Sequence, residues 1–164
     1  MAAYTTRSEP LLNQRPAFAH RNLPLLLLQA RESVIARFRP ILNAHGVTEQ
    51  QWRVVRALVE RGPLEPREIV AICRISSPSL AGVLARMDDL GLVSRERLGH
   101  DQRRLRVSPT PKSRALAARM APQIEAIYAQ IEARIGREFT QRFYAALDDL
   151  IAALGDAPDT PEES

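Results

Sequence analysis

Residues 74–110 read RISSPSLAGVLARMDDLGLVSRERLGHDQRRLRVSPT. Within this stretch Ser77 can cap a helix, with Pro78 at the first helical position, where a missing N–H costs nothing. Leu80, Val83, Leu84 and Met87 then recur at three- and four-residue spacing, the mark of one buried helical face, and Gly91 supplies a left-handed stop. Beyond it, Leu92-Val93 and Leu105-Arg106-Val107 bracket the loop Gly99-His100-Asp101-Gln102, with Arg95, Arg97, Arg103 and Arg104 around it. A helix that fits a major groove, followed by an arginine-tipped hairpin, is a winged helix-turn-helix pattern. A plain surface helix and hairpin with solvated charges is the bland alternative. It leaves unexplained why cap, stop and hairpin all occur in working order.

The chain has 164 residues, enough for one compact domain or one lobe with a helical extension. A hydrophobic content of 45% can form a core, and 26% charged residues favours solubility. Aromatics make up only 5%, so the core must be Leu, Ile, Val and Ala, which favours helices. The formal charge is +4, and Lys112 is the sole lysine, so the basicity is almost all arginine. Arginine suits bidentate phosphate or guanine recognition; genome composition can produce the same excess, so positions matter more than the total. Cys73 is the only cysteine, which excludes an intrachain disulfide and fits a reducing cytoplasm. No secretory signal is visible, and the apolar run Leu25 to Leu28 is too short to span a bilayer. The expectation is a cytoplasmic protein with no membrane partner.

Residues 1–21 carry scattered prolines without a sustained period and read as a mobile arm; the acidic, proline-containing tail, 156–164, reads as disordered. Between them the pattern gives six helices. The first, about 24–44, has Leu27, Val34, Ile35, Phe38, Ile41 and Leu42 as apolar positions, a kink expected at Pro40 and an end at Gly46. The second opens on Thr48-Glu49-Gln50-Gln51, a capping box, and places Trp52, Val55 and Val59 on its apolar face with Val54 and Leu58 beside them. The third begins near Pro66 and buries Ile69, Ile72 and Cys73. After the recognition helix and hairpin, a fifth helix, about 111–136, carries Leu116, Met120, Ile124, Ile127, Ile131 and Ile135, with a bend expected at Pro122. The sixth, about 138–154, repeats Phe139, Phe143, Leu147, Leu150 and Leu154. The fold class is mainly α with a small β-hairpin wing: a winged helix-turn-helix at 47–110, flanked by dimerisation helices at 22–46 and 111–155. The outer stripes exceed what one small domain can bury, which implies a second copy and two recognition helices for a palindromic site.

This arrangement resembles the MarR family of bacterial regulators over about residues 23–154. Asp101-Gln102-Arg103-Arg104 leading to Leu105-Arg106-Val107-Ser108-Pro109-Thr110 is similar to the family's D-x-R…L-T pattern, and Arg86-Met87-Asp88-Asp89-Leu90-Gly91-Leu92-Val93 looks like its "RLE..GLV" segment. Leu28-Gln29-Ala30-Arg31-Glu32, Phe38-Arg39-Pro40-Ile41 and the segment from Thr48 to Arg56 look like the HpaR branch, associated with operons that degrade homoprotocatechuate and 4-hydroxyphenylacetate. The resemblance implies a homodimeric repressor on double-stranded operator DNA, released by a small aromatic acid or phenol, with no cofactor.

By the resemblance Ser77, Ser79, Ala81 and Gly82 lie on the groove face of the recognition helix. Ser77 and Ser79 can offer hydroxyls to phosphates or base edges, and Ala81 can meet a thymine methyl; a pure capping role for Ser77 stays open. Many family members carry arginine where Gly82 stands, which shifts weight to the wing, Arg86 and DNA shape. Arg74, Arg95, Arg97, Arg103 and Arg104 are candidates for phosphate neutralisation, or else solvated charges. Asp101 is an orienting partner for Arg103 or simply a turn former. An aromatic acid needs an apolar slot and an arginine. Arg31, Phe38, Arg39, His45, Trp52, Arg53 and Arg56 are the candidates, with core packing the alternative for the rings and ion pairs for the arginines.

Other functions fit less well. Cys73 on an apolar stripe suits a buried, inert thiol better than an oxidation sensor. His20, His45 and His100 share no metal-ligand spacing, and no phosphate loop, nucleophile elbow or acid–base pair marks an enzyme. A winged helix used only for protein contacts leaves the arginine-tipped wing without a purpose.

Overall fold

The computed structural model describes residues 18–155 except His100, and only the backbone of Asp101, Gln102 and Arg103. The acidic tail and most of the expected arm lie outside the described residues. The chain divides into two units, Met1–Ile35 and Ala36–Ser164.

Helix α1 (Leu23–Ala44) starts in the first unit and runs through Pro40. Asn22 opens it: its Oδ1 accepts the Leu25 N–H at 3.1 Å and its carbonyl accepts the Leu26 N–H at 3.0 Å, satisfying donors a helix start otherwise leaves unpaired. Leu23, Leu25, Leu27, Leu28 and Val34 of this unit are exposed.

In the second unit the end of α1 buries Phe38 and Leu42. There follow α2 (Glu49–Arg61), α3 (Pro66–Cys73), α4 (Ser77–Asp89), the hairpin β1 (Val93–Leu98) and β2 (Asp101–Pro109), then α5 (Pro111–Ile135) and α6 (Arg137–Leu154). This is the mainly α, winged helix-turn-helix architecture. Thr48 and Gln51 form the expected capping box, each accepting the other's backbone N–H, at 3.1 and 3.0 Å. Helices α3 and α4 meet at 109°, within the usual range for a helix-turn-helix. The turn between them depends on Arg74, whose φ of 49° and ψ of 51° place a non-glycine residue in the left-handed region. That conformation costs about 1 kcal/mol. The guanidinium of Arg53 offsets it by donating to the carbonyls of Cys73 (2.5 Å) and Arg74 (3.5 Å), which closes the C-terminus of α3.

The core is aliphatic, as the low aromatic content predicts. Val54, Val55 and Leu58 of α2, Ile69 of α3, Leu80, Val83 and Met87 of α4, Val93 and Val107 of the hairpin, and Met120 of α5 are all buried. All four residues predicted for the inner face of α4 are among the buried ones. Gly91 follows the helix with φ 68°. The end of α4 is then closed from the next helix: Lys112 Nζ donates to the Leu90 carbonyl at 2.6 Å and Thr110 Oγ1 to the Gly91 carbonyl at 2.7 Å. The lone lysine thus sits where a cation favours a helix C-terminus.

Four expectations need correction. The cap of α4 is Ser76, whose hydroxyl accepts the Ser79 N–H, so Ser77 is already helical and Pro78 stands one position later than expected. Pro78 still lies in the first turn, where no N–H is required. The core face of α2 centres on Val54, Val55 and Leu58; Trp52 and Val59 are only half-buried. Ile72 is exposed, because an eight-residue helix turns it away from the side that holds Ile69 and Cys73. Strand β2 begins at Asp101, so the loop is shorter than 99–102. The ladder runs from Val93↔Pro109 to Arg97↔Leu105, then shifts register to Leu98↔Asp101 at a bulge. Leu64 extends the sheet by an isolated bridge, exchanging hydrogen bonds of 2.9 and 2.8 Å with Val107.

Burial fades along α5, from Leu116, Met120 and Ile124 inside to Ile135 exposed. Helix α6 has no buried residue, and Phe139 and Phe143 stack on its surface at 5.8 Å.

Candidate nucleic-acid interface and effector pocket

The outward side of α4 carries Ser77, Ser79, Ala81 and Arg86 exposed, with Gly82 half-buried among them. Ser76 and Ser79 are linked hydroxyl to hydroxyl at 2.9 Å, so Ser79 belongs partly to the cap. The candidate cations divide by surroundings. Arg95 is clamped by Asp88 of α4, with Nε at 3.1 Å and Nη2 at 2.8 Å from one carboxylate oxygen, an interaction that fixes β1 to the recognition helix. Arg104 is paired with Glu65 just before α3, and that carboxylate lies below its ordinary range because of Arg104 first, then Arg67 and Arg106. Together with the Leu64–Val107 bridge, this pair ties the wing to the front of the helix-turn-helix. Arg97 is exposed on β1, and Arg74 is exposed in the turn. The side chains of Asp101 and Arg103, and with them the orienting pair, lie outside the described residues.

The candidates for an acid-binding site separate more sharply. Trp52 and Arg56 come together, one helical turn apart on α2, at a pocket of about 320 Å³ facing α5. Val59, Ala117, Ala121 and Ile124 give it apolar walls, while Arg114 and Glu60 bring charge to its edge. Arg56 Nε is 2.7 Å from Glu60, and its Nη1 is 3.4 Å from the Tyr128 hydroxyl. The Glu60 carboxylate is the main reason the Arg56 guanidinium holds its proton more tightly than usual. Tyr128 in turn packs its ring on Phe38, centroids 5.0 Å apart. A half-exposed arginine at the mouth of a small apolar slot, beside an indole and a phenol, can take a carboxylate on an aromatic ring.

The remaining candidates stand elsewhere. Phe38 is buried behind Tyr128, His45 meets Gln123 at 3.1 Å, and Arg53 is committed to the end of α3. Arg39 is exposed, and Arg31 belongs to the first unit. Tyr128, Arg114 and the small residues of α5 were not anticipated. The signal available for them was Ala117 and Ala121 at four-residue spacing, a gap in a helix face that a ring can fill. Cys73 is buried and its thiol is pushed above its ordinary range by that burial; it donates to the Arg53 carbonyl at 3.5 Å. Such a thiol is a poor nucleophile for oxidants. Among the described residues no group of three or more His, Cys, Asp or Glu could hold a metal ion, and no single helix is long and apolar enough to cross a membrane.

Known proteins resemble this chain in sequence and in fold. Residues 45–104 match the sequence model of the MarR family. The chain is 43% identical over 133 residues to the homoprotocatechuate degradative operon repressor of Escherichia coli, covering 81% of this chain and 90% of that protein. It is 36% identical over 140 residues to the HTH-type transcriptional regulator FarR of Neisseria gonorrhoeae, covering 85% and 93%. The crystal structure of NadR in complex with 4-hydroxyphenylacetate is 34% identical, with a TM-score of 0.73, and the match covers 83% of this chain and 96% of that one. These relatives are regulators and not enzymes, and this chain belongs to the MarR family of transcriptional regulators.

Proposed function

We propose that this protein is a cytoplasmic homodimeric repressor of an operon for homoprotocatechuate or 4-hydroxyphenylacetate breakdown, released from a palindromic operator by a small aromatic acid. The observation that carries the reading is the pocket between α2 and α5. It offers an apolar slot of a size for one ring, an indole from Trp52 and a guanidinium from Arg56. Two relatives support the ligand class: one represses a homoprotocatechuate operon, and another was crystallised with 4-hydroxyphenylacetate.

Residues 47–110 form the DNA-binding part in this reading, with Ser77, Ser79, Ala81, Gly82 and Arg86 toward the major groove. Arg97 and Arg103 neutralise phosphates, Asp101 steers Arg103, and Arg74 adds a further cation near the turn. Arg95 and Arg104 act mainly by holding the wing in place. Residues 22–46 and 111–155 form the dimer, which covers Phe139, Phe143 and the exposed leucines of α1. The acid binds preferentially to a dimer whose recognition helices are badly spaced for DNA, so it lowers operator affinity by linkage.

Fluorescence anisotropy on the DNA upstream of its own gene tests this, with 4-hydroxyphenylacetate and 3,4-dihydroxyphenylacetate each added at several salt concentrations. Specific binding weakened by either acid is expected. Specific binding that neither acid alters would discard the ligand assignment, and no specific binding at any salt would discard the repressor.

A further inference from the structure

The exposed side of α4 is built almost entirely of short side chains. Ser77, Ser79, Ala81 and Ala85 extend at most one heavy atom beyond Cβ, and Gly82 has no Cβ at all. Arg86 is the only long side chain among them and the only cation in the helix. Helical side chains lean toward the N-terminus, so a residue at i+4 covers the surface one turn before it. Arg86 does this: a Cβ added to Gly82 would lie 3.4 Å from its Nη1 and 4.0 Å from its Nη2. The guanidinium therefore rests over the bare backbone of Gly82, in the middle of the helix. Arg95 and Arg104 are held by carboxylates, but among the described residues no partner holds the Arg86 side chain.

We infer that Arg86, seated over Gly82, reads a guanine in each half-site, and that Gly82 determines specificity by leaving that seat open. The inference rests on α4 being the DNA-recognition helix. A guanidinium presents two parallel donors, and guanine offers N7 and O6 as paired acceptors in the major groove. Serine hydroxyls are too short to replace that contact, and alanines contribute only apolar contact to thymine methyls. Any longer side chain at position 82 would occupy the seat and turn the guanidinium away. Glycine here is a means of moving the reading arginine one turn along the helix.

The test is selection from a library of DNA duplexes with a randomised central region, using the full-length wild type, Arg86→Ala and Gly82→Leu. The leucine variant removes a helix-weakening glycine, so it retains the fold. The wild type should enrich a site with a guanine preferred by roughly five- to 150-fold at one position of each half-site. Arg86→Ala should lose that preference alone, keep the other positions, and leave the salt dependence of binding unchanged. Gly82→Leu should lose the same guanine although Arg86 is still present. If Arg86→Ala keeps the guanine and instead weakens all sequences equally, with a salt slope reduced by about 0.9 per arginine, Arg86 is a phosphate contact and the inference is overturned. A guanine preference that survives Gly82→Leu overturns the role of the seat. Enrichment of no sequence by the wild type removes the DNA-recognition reading beneath the inference.

Discussion

Arg56 offers the sharpest perturbation, because the free protein already gives it a carboxylate. Its Nε lies 2.7 Å from Glu60, one turn along α2, with the two side chains 42% and 55% exposed. An incoming acid that takes the Nε edge of the guanidinium exchanges one carboxylate for another. A charge-assisted hydrogen bond contributes about 1.5–3 kcal/mol, whereas an exposed pair four residues apart on a helix is worth only about 0.3–0.5 kcal/mol. The difference leaves about 1–2.5 kcal/mol for the ligand, so Arg56→Met should weaken 4-hydroxyphenylacetate roughly five- to seventy-fold. Glu60→Gln should act in the opposite direction, because it releases the guanidinium and removes a negative charge from the pocket edge. Tightening of about two-fold is expected from the lost pair alone. Isothermal titration calorimetry on folded, dimeric variants measures both. The uncharged 4-hydroxyphenylacetamide supplies the control, since Arg56→Met should hardly affect it. Unchanged acid affinity in Arg56→Met, or weaker affinity in Glu60→Gln, would refute the exchange.

Other outcomes follow from the caps, the thiol and the outer helices. Ser76→Ala should cost about 1 kcal/mol, a fall in melting temperature of roughly 2–4 °C, while Ser77→Ala stays within about 0.5 kcal/mol; calorimetry of both separates the real cap from its neighbour. Cys73 should resist N-ethylmaleimide in the folded protein at pH 7–8, because burial raises its pKa and leaves less thiolate, and peroxide should not change operator affinity. Rapid labelling with loss of DNA binding would restore the redox sensor. Phe139→Glu combined with Phe143→Glu should shift the protein from dimer to monomer in sedimentation velocity; a persistent dimer would place the interface elsewhere.

Much of the fold is visible in local sequence, because local rules produce it. The capping box of Thr48 and Gln51, the stop at Gly91 and the inner face of α4 each depend on residues a few positions apart. Local rules fall short where a neighbour distant in sequence decides the outcome. Trp52 lies on a plausible apolar stripe, but only the position of α5 shows that it edges a pocket and not the core. Arg53 carries the same charge as Arg56, yet one closes the end of α3, twenty residues on, while the other faces the slot. Tyr128 stands 72 residues from Arg56 and no spacing rule links them. The Ser76–Ser77 shift has a different source: two adjacent serines before a proline satisfy the same capping pattern, and only backbone geometry chooses between them. The pairing of Arg104 with Glu65 depends on the hairpin folding back toward α3, which no local spacing reveals.

The central claim is that acid binding and operator binding oppose each other through one conformational equilibrium, and reciprocity makes it directly measurable. The affinity of 4-hydroxyphenylacetate should be determined for the free protein and for the protein saturated with operator DNA. A coupling of about 2 kcal/mol predicts that the acid binds the DNA complex roughly thirty-fold more weakly, and that saturating acid weakens the operator by that same factor. Equal affinity of the acid for free and DNA-bound protein would contradict the account.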